Sequence, residues 1–383
     1  MDDSSIDMPV YQRVKQHLET MIERGMLRSG GLVPSERALA ARLKAAPGTV
    51  RRAVGEMVAE GKLVRLPRKG TIVSPDLPTA SGSLHWAVVV PTMRYFYPQL
   101  VDAIEREAWR LGATVTLGCP REDIDGERRF VLRAIEEGAR GILLAPTSTK
   151  HQSRSRESLE YLGDLNVPVV IMDHWGIDLP LSGIDCVLSD NFAGCYQATV
   201  HLIRHGYRRI AMVTGDGQEG PEVRERRKGY LAALADHGLT EPQVPPLHNR
   251  TVEEGDTEAI TGVLSAGVEA IATTNDRTAA FLLARLAQMG IAVPDDVAVI
   301  GYDDEPFAEA LNPPLTSVRV EKEEIARRAV QLLQERIASG LKGRHKTLVV
   351  RPSVVARQSC GRSCSGLDEL EKKTEIVERT MIR

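Results

Sequence analysis

From about residue 84 onward the chain repeats one rhythm: a short continuous apolar run, an amphipathic stretch of helical period, then another apolar run. LHWAVVVP is followed by PQLVDAIEREAWRLG, in which Val101, Ile104, Ala108 and Leu111 fall on one side, and then by ATVTLGCP. The pattern continues through GERRFVLRAIEEG, ARGILLAP and VPVVIMDHW, and resumes with AGCYQATVHLIRHG, RRIAMVTG, VEAIATTND and VAVIGYDD. Runs without polar alternation belong to strands buried on both faces, and strands separated by helices pair in parallel. Two such series predict two doubly wound parallel sheets, that is, two α/β lobes with a cleft at the C-terminal ends of their strands. The spacing assigns about 84–188 and 318–340 to the first lobe, and about 189–317 and 345–358 to the second.

The first seventy-odd residues read differently. In VYQRVKQHLETMIERG, apolar Val10, Val14, Leu18, Met21 and Ile22 have helical spacing. PSERALAARL starts a second helix with Ser35 as its cap, and GTVRRAVGEMVAEG a third with Val50, Val54 and Met57 on one face. KLVRLPRKGTIVS then reads as two short strands around a turn at Pro67–Gly70. Three helices and a β-hairpin make a winged helix-turn-helix, an α+β head over 8–74, joined by SPDLPTASGS (linker 75–83) to the α/β body over 84–358.

Charge supports that division. Residues 8–74 hold 13 Lys/Arg against 5 Asp/Glu, a local +8, so with −3 overall the remainder carries −11. A basic head on an acidic body points to a polyanion partner for the head alone. Arg37, Arg51 and Arg52 on the helices, and Arg65, Arg68 and Lys69 of the wing, are the residues placed to meet phosphates and base edges. No apolar run approaches the ~20 residues that span a bilayer, and the N-terminus lacks a signal-peptide core, so a cytoplasmic location without membrane association is expected. The five cysteines (119, 186, 195, 360, 364) suit reduced thiols, and C-x3-C at Cys360 and Cys364 is expected to be surface thiols rather than a metal site.

GDGQEG at 215–220 is a literal G-x-G-x-x-G between a strand and a helix. A dinucleotide site wants that turn in the first β-α unit and an acid about 20 residues on, at a strand end. Here the turn opens the second lobe, and Asp236 falls at the end of the following helix. No cofactor is expected. The chain also lacks a P-loop, G-x-S-x-G and H-E-x-x-H. The competing reading is an α/β sugar-modifying enzyme tethered to a DNA-binding head, and it finds no catalytic constellation.

PSERALAARLKAAPGTVRRAVGEMVAEGKLVRLPRKGTIV resembles the GntR-type DNA-binding domain. The resemblance implies DNA contacts at Arg37, Thr49, Arg51 and Gly70. The turn Lys44-Ala45-Ala46-Pro47-Gly48 departs from the family: Ala46 replaces the usual capping hydroxyl and Pro47 the usual contacting arginine, pointing away from the family's usual operator sequence. The body, through SDNFAGCYQATVHLIRHGYRRIAMVTG, RERRKGYLAAL, ATTNDRTAAFLLARLAQMGIAVPDDVAVIGYDD and NPPLTSVRV, resembles the LacI/GalR-family effector domain, a periplasmic-binding-protein-like fold. A GntR-type head on such a body is similar to the arabinose-repressor subfamily. This implies a homodimeric repressor on a palindromic operator, released by a small-molecule effector.

A sugar presents adjacent hydroxyls and apolar C–H faces, and needs fixed hydrogen-bonding groups and an aromatic platform. Asp173, Asn275 and Asp303 sit at strand ends, and Arg226 on the helix after the glycine-rich turn. The resemblance aligns Arg226, Asn275 and Asp303 with effector-contacting positions, and Asp173 also. Tyr95, Phe96 and Tyr97 after the first strand, and Trp175 after Asp173, are the aromatic candidates. Asp276 is expected to cap the following helix. The tail 359–383 lies outside the resemblance and reads as a charged helix or as disordered.

Overall fold

The computed structural model describes residues 9–23, 27, 30–67, 69–74, 84–121, 123–147, 157–174, 183–215, 220–339, 344–361 and 376–379. The chain divides into two compact units, Met1–His85 and Trp86–Arg383.

The first unit contains helices α1 (Val10–Glu23), α2 (Glu36–Leu43) and α3 (Pro47–Ala59), then strands β1 (Leu63–Leu66) and β2 (Gly70–Val73). The apolar stripes meet in one core that includes Val14, Leu18, Leu39, Val50, Val54 and Met57. Val10 is the exception: at the first position of α1 it stays exposed. Ser35 caps α2 by accepting from Ala38 N at 3.2 Å, whereas α3 begins at Pro47 with no side-chain cap from Ala46. β1 and β2 pair antiparallel from Leu63↔Val73 to Leu66↔Gly70, and Gly70 has φ +104°, a conformation a side chain would strain. The expected linker 75–83 lies outside the described residues.

In the second unit the chain first lays down β3 (Leu84–Val89), α4 (Phe96–Arg110), β4 (Ala113–Gly118), α5 (Ile124–Glu136), β5 (Ile142–Leu144), α6 (Glu157–Glu160), β6 (Val169–Asp173) and β7 (Asp185–Ser189). It then builds a second lobe from α7 (Asn191–Arg204), β8 (Ile210–Met212), α8 (Pro221–Asp236), α9 (Asn249–Glu254), α10 (Thr257–Ser265), β9 (Ala270–Ala272), α11 (Asp276–Gln288), β10 (Ala298–Asp303) and β11 (Thr316–Arg319). It returns to the first lobe as α12 (Lys322–Ser339) and β12 (Thr347–Val350), crosses again as β13 (Ser353–Val355), and ends on β14 (Ile376–Arg379).

The first sheet has the order β4-β3-β5-β6-β7-β12-β14, and the second β8-β9-β10-β11-β13. The pairings from β3 through β12, and from β8 through β11, are parallel, with β14 and β13 antiparallel at the respective edges. Each sheet is sealed by its own apolar cluster, around Ile142, Leu144 and Ile171 in one lobe and Ile271, Leu282 and Val299 in the other.

Two assignments from the sequence are corrected. β11 belongs wholly to the second lobe, so the crossing follows residue 319 rather than 317. β12 belongs to the first sheet, not the second, because it pairs with β7 from Thr347↔Cys186 to Val350↔Ser189. Buried Asp185 explains this: its carboxylate receives Arg336 Nη2 of α12 at 3.0 Å and Lys346 N at 2.7 Å, fixing both ends of the α12–β12 connection to β7. The tail also differs from expectation, since 376–379 forms a strand on β12. Cys360 is not a surface thiol but is buried, with Sγ 3.1 Å from His201 Nε2 and 3.1 Å from Thr316 Oγ1. No helix among the described residues is long and apolar enough to cross a membrane.

Candidate functional site

Parallel α/β sheets gather their strand ends, and here those ends supply most of the expected ligand residues. Asp173 closes β6, Asp303 closes β10, Asn275 follows β9, and Tyr95, Phe96 and Tyr97 open α4 after β3. The backbone is strained where they sit. Of six described non-glycine residues with positive φ, four are Tyr95 (+54°), Asp173 (+69°), Asp303 (+104°) and Asp304 (+47°). Such conformations persist only where surrounding structure enforces them, and they gather at ligand sites.

Arg226, on the inward face of α8, is the centre. Its Nε donates to Asn191 Oδ1 at 2.8 Å, its Nη1 to the Thr274 carbonyl, and its Nη2 lies 3.5 Å from Asp303 Oδ1. Its guanidinium also stacks 3.7 Å from the Tyr302 ring centroid. α8 can bring Arg226 here because Gly229 lies against α7: a Cβ at that position would stand 2.1 Å from the Phe192 carbonyl oxygen. Burial pushes the Asp303 carboxyl up to about 7, opposed by Arg226 and Lys322. Burial likewise raises Asp173, against the pull of His174 and Arg226. Tyr97, facing Asp173, Glu222, Asp303 and Arg226, is driven well above the usual phenol range, first by burial and then by those carboxylates. Phe96 meets Tyr97 edge-to-face at 5.3 Å.

The pocket therefore joins Asp173, Phe96 and Tyr97 of the first lobe to Arg226 and Asp303 of the second. Asn275 is present but partly committed: its Oδ1 caps α11 by accepting from Thr278 N at 2.8 Å. That corrects the expectation for Asp276, which is buried instead and accepts from Ser317 Oγ at 2.6 Å and Glu305 N at 2.7 Å. Tyr95 is exposed at the cleft mouth, beneath Arg277 at 5.3 Å. Trp175, Arg68 and residues 216–219 of GDGQEG lie outside the described residues. Asp236 ends α8 and accepts from Tyr196 Oη at 3.0 Å, away from any strand end.

The sequence missed four contributors. Asn191 and Tyr302 hold Arg226 in place. Glu222, on the first turn of α8, brings a buried Oε2 without a hydrogen-bond partner close enough to act on Tyr97, Asp173 and Arg226, whereas the Tyr302 hydroxyl packs against Gly194 of α7. Lys322, at the start of α12, donates to the Asp303 carbonyl at 2.7 Å and to Glu305 Oε1 at 3.1 Å, Lys322 and Glu305 each being at most 6% exposed, and so ties the first lobe to the second. Only the N-terminal position of Glu222 on a helix facing the cleft could have flagged any of them.

In the head, Glu36 organises the candidate DNA surface: Arg51 Nε donates to it at 3.1 Å and Arg65 Nη2 at 3.2 Å, linking α2, α3 and the wing. Arg37 and Lys69 are exposed, and Thr49 is half-buried. Arg52 is turned to its own unit, pairing with Glu56 at 3.1 Å and lying 4.2 Å over the Tyr11 ring.

A winged helix-turn-helix carried by a two-lobed, periplasmic-binding-protein-like receptor defines a one-component DNA-binding transcriptional regulator rather than an enzyme. Residues 10–73 match the bacterial regulatory proteins of the gntR family, and 199–360 the periplasmic binding protein-like domain. The chain is 27% identical to the arabinose metabolism transcriptional repressor of Geobacillus stearothermophilus, covering 92% of this chain and 98% of that one. It is 31% identical to the HTH-type transcriptional repressor PurR of Vibrio vulnificus over 70% of this chain and 80% of that protein. Among solved structures, a transcriptional regulator CelR–cellobiose complex aligns with TM-score 0.61 at 25% identity, covering 92% of this chain and all of that one. The chain belongs to the family of bacterial transcriptional repressors that carry a LacI/GalR-type effector domain, here behind a GntR-type head as in the arabinose-repressor subfamily.

Proposed function

We propose that this protein is a cytoplasmic, sugar-responsive repressor that leaves its operator when a sugar draws the two lobes together on Arg226. The observation that carries this reading is the fixed guanidinium of Arg226, held by Asn191, Thr274 and Tyr302 while facing Asp303. Rigid planar donors beside carboxylates suit vicinal hydroxyls, and the unpartnered Glu222 Oε2 gives a further hydroxyl a partner. Phe96 and Tyr97, with Tyr95 at the mouth, offer an apolar wall for C–H faces. A relative in arabinose metabolism and a structural neighbour holding cellobiose favour a sugar over other small molecules.

Ligand bound between lobes favours their closed arrangement by its greater affinity for it. A single winged head makes too few contacts for tight specific binding, so the working species is a homodimer on a palindrome, and closure alters the spacing of its two heads. Arg37, Thr49, Arg51, Lys69 and Gly70 carry the DNA contacts. The test is a thermal-shift screen over a sugar library, with hits assayed for release of labelled operator. Arg226→Ala should bind operator normally and ignore the sugar; an undiminished response in that variant would refute the assignment.

A further inference from the structure

We propose that the effector is a sugar bearing an anionic group, a phosphate monoester or a carboxylate, held at the cleft mouth by Arg94, Arg121 and Arg277. The inference rests on the reading of the cleft as a sugar site and adds a charged group to that ligand. The cleft has two electrostatic zones. In the interior, Asp173, Glu222 and Asp303 surround a single arginine, and Lys322 is committed to Glu305. That zone favours hydroxyl donors and repels an anion. At the mouth, a cavity of about 760 Å³ is lined by Arg94, Tyr95, Cys119, Arg121 and Arg277, with no carboxylate among its described lining residues.

Arg94 and Arg121 have no facing acid among the described residues, and Arg277 has one, in a chain whose residues outside the head sum to −11. Arg94 and Arg121 follow β3 and β4, which are neighbours in the first sheet, and make no hydrogen bond or ion pair among the described residues. Arg277 comes from the opposite lobe, on the first turn of α11. Its Nη2 pairs with Glu253 at 2.8 Å, but its buried Nε has no hydrogen-bond partner. A buried guanidinium N–H left unpaired is costly, and an incoming oxyanion supplies the missing acceptor. Guanidiniums bind phosphate and carboxylate through paired N–H donors, and the N-terminus of α11 adds a favourable dipole. An anion seated there touches both lobes and adds to closure, while the hydroxyl-bearing part of the same molecule reaches Arg226, Asp173 and Asp303.

The test is calorimetry on the full chain with matched sets: a neutral pentose or hexose, its phosphate monoester, and its aldonic or uronic acid. The phosphate and acid arms tell the two anion sources apart. A charged member should bind at least about tenfold more tightly than its neutral parent, with an advantage that shrinks as salt is added. In Arg94→Ala/Arg121→Ala the charged ligand should lose about tenfold per arginine while the neutral parent is unaffected, both side chains being exposed. If neutral parents bind as tightly as their charged counterparts, or the double variant keeps full affinity for the charged ligand, the anion subsite is refuted and the sugar reading stands. If no member of any set binds, both fall together.

Discussion

Replacing Asp303 by asparagine should stabilise the effector-free protein at alkaline pH. Its carboxyl is 13% exposed and, when folded, protonates at about 7 against an ordinary 3.8, because burial outweighs the attraction of Arg226 and Lys322. A carboxyl raised in this way favours folding in its protonated form. That contribution is complete below pH 3.8 and is lost as pH rises through about 7. A gap of roughly 3 pKa units corresponds to ~4 kcal/mol, of which ~2–3 kcal/mol disappears between pH 5 and 8. Asparagine keeps the shape without titrating, so Asp303→Asn should flatten that part of the profile. It should match the parent only near pH 4, exceed it by ~1–2 kcal/mol at pH 5, and exceed it by ~4 kcal/mol at pH 8. The assay is chemical denaturation of both proteins from pH 4 to 8; differencing the two profiles cancels groups that do not feel Asp303, while Asp276, which Asp303 raises, contributes in the same direction. Parallel profiles, or a variant less stable than the parent at pH 8, would refute the electrostatic argument. The same reasoning makes sugar binding at pH 7 release protons, since a ligand hydroxyl favours the ionised carboxylate; calorimetry in buffers of different ionisation enthalpy reads this directly.

Other outcomes follow from individual contacts. Arg51→Ala should weaken operator binding by about 1–3 kcal/mol, read by fluorescence anisotropy, with effector affinity unchanged because Arg51 belongs to the other unit. Gly229→Ala should destabilise the second unit by about 1–3 kcal/mol, because the added Cβ would stand 2.1 Å from the Phe192 carbonyl oxygen and force α7 and α8 apart. Loss of sugar affinity should accompany it, through displacement of Arg226, and a thermal melt with and without sugar checks both.

Much of the site was legible because strand ends are legible: a continuous apolar run that stops at Asp173 or Asp303 announces a residue at the carboxyl edge of a buried sheet. Arg226 was legible from the helix after the glycine-rich turn. Asn191, Tyr302 and Lys322 were not, since each serves by orienting another residue across a gap of many positions. Asn275 and Asp276 show the same limit: either could cap a helix from sequence, and the choice was made by Ser317 and the Glu305 amide, which claim Asp276.

By itself the sequence determined the head, the two-lobed architecture and the basic-on-acidic division of charge, because periodicity, capping and local charge are properties of neighbouring residues. Tertiary structure alone decided that β12 completes the first sheet, that Lys322 ties one lobe to the other, and that Arg94, Arg121 and Arg277 share a cavity free of described carboxylates. These depend on which distant segments meet, and hydrophobic pattern specifies that a surface is buried without naming the surface that buries it.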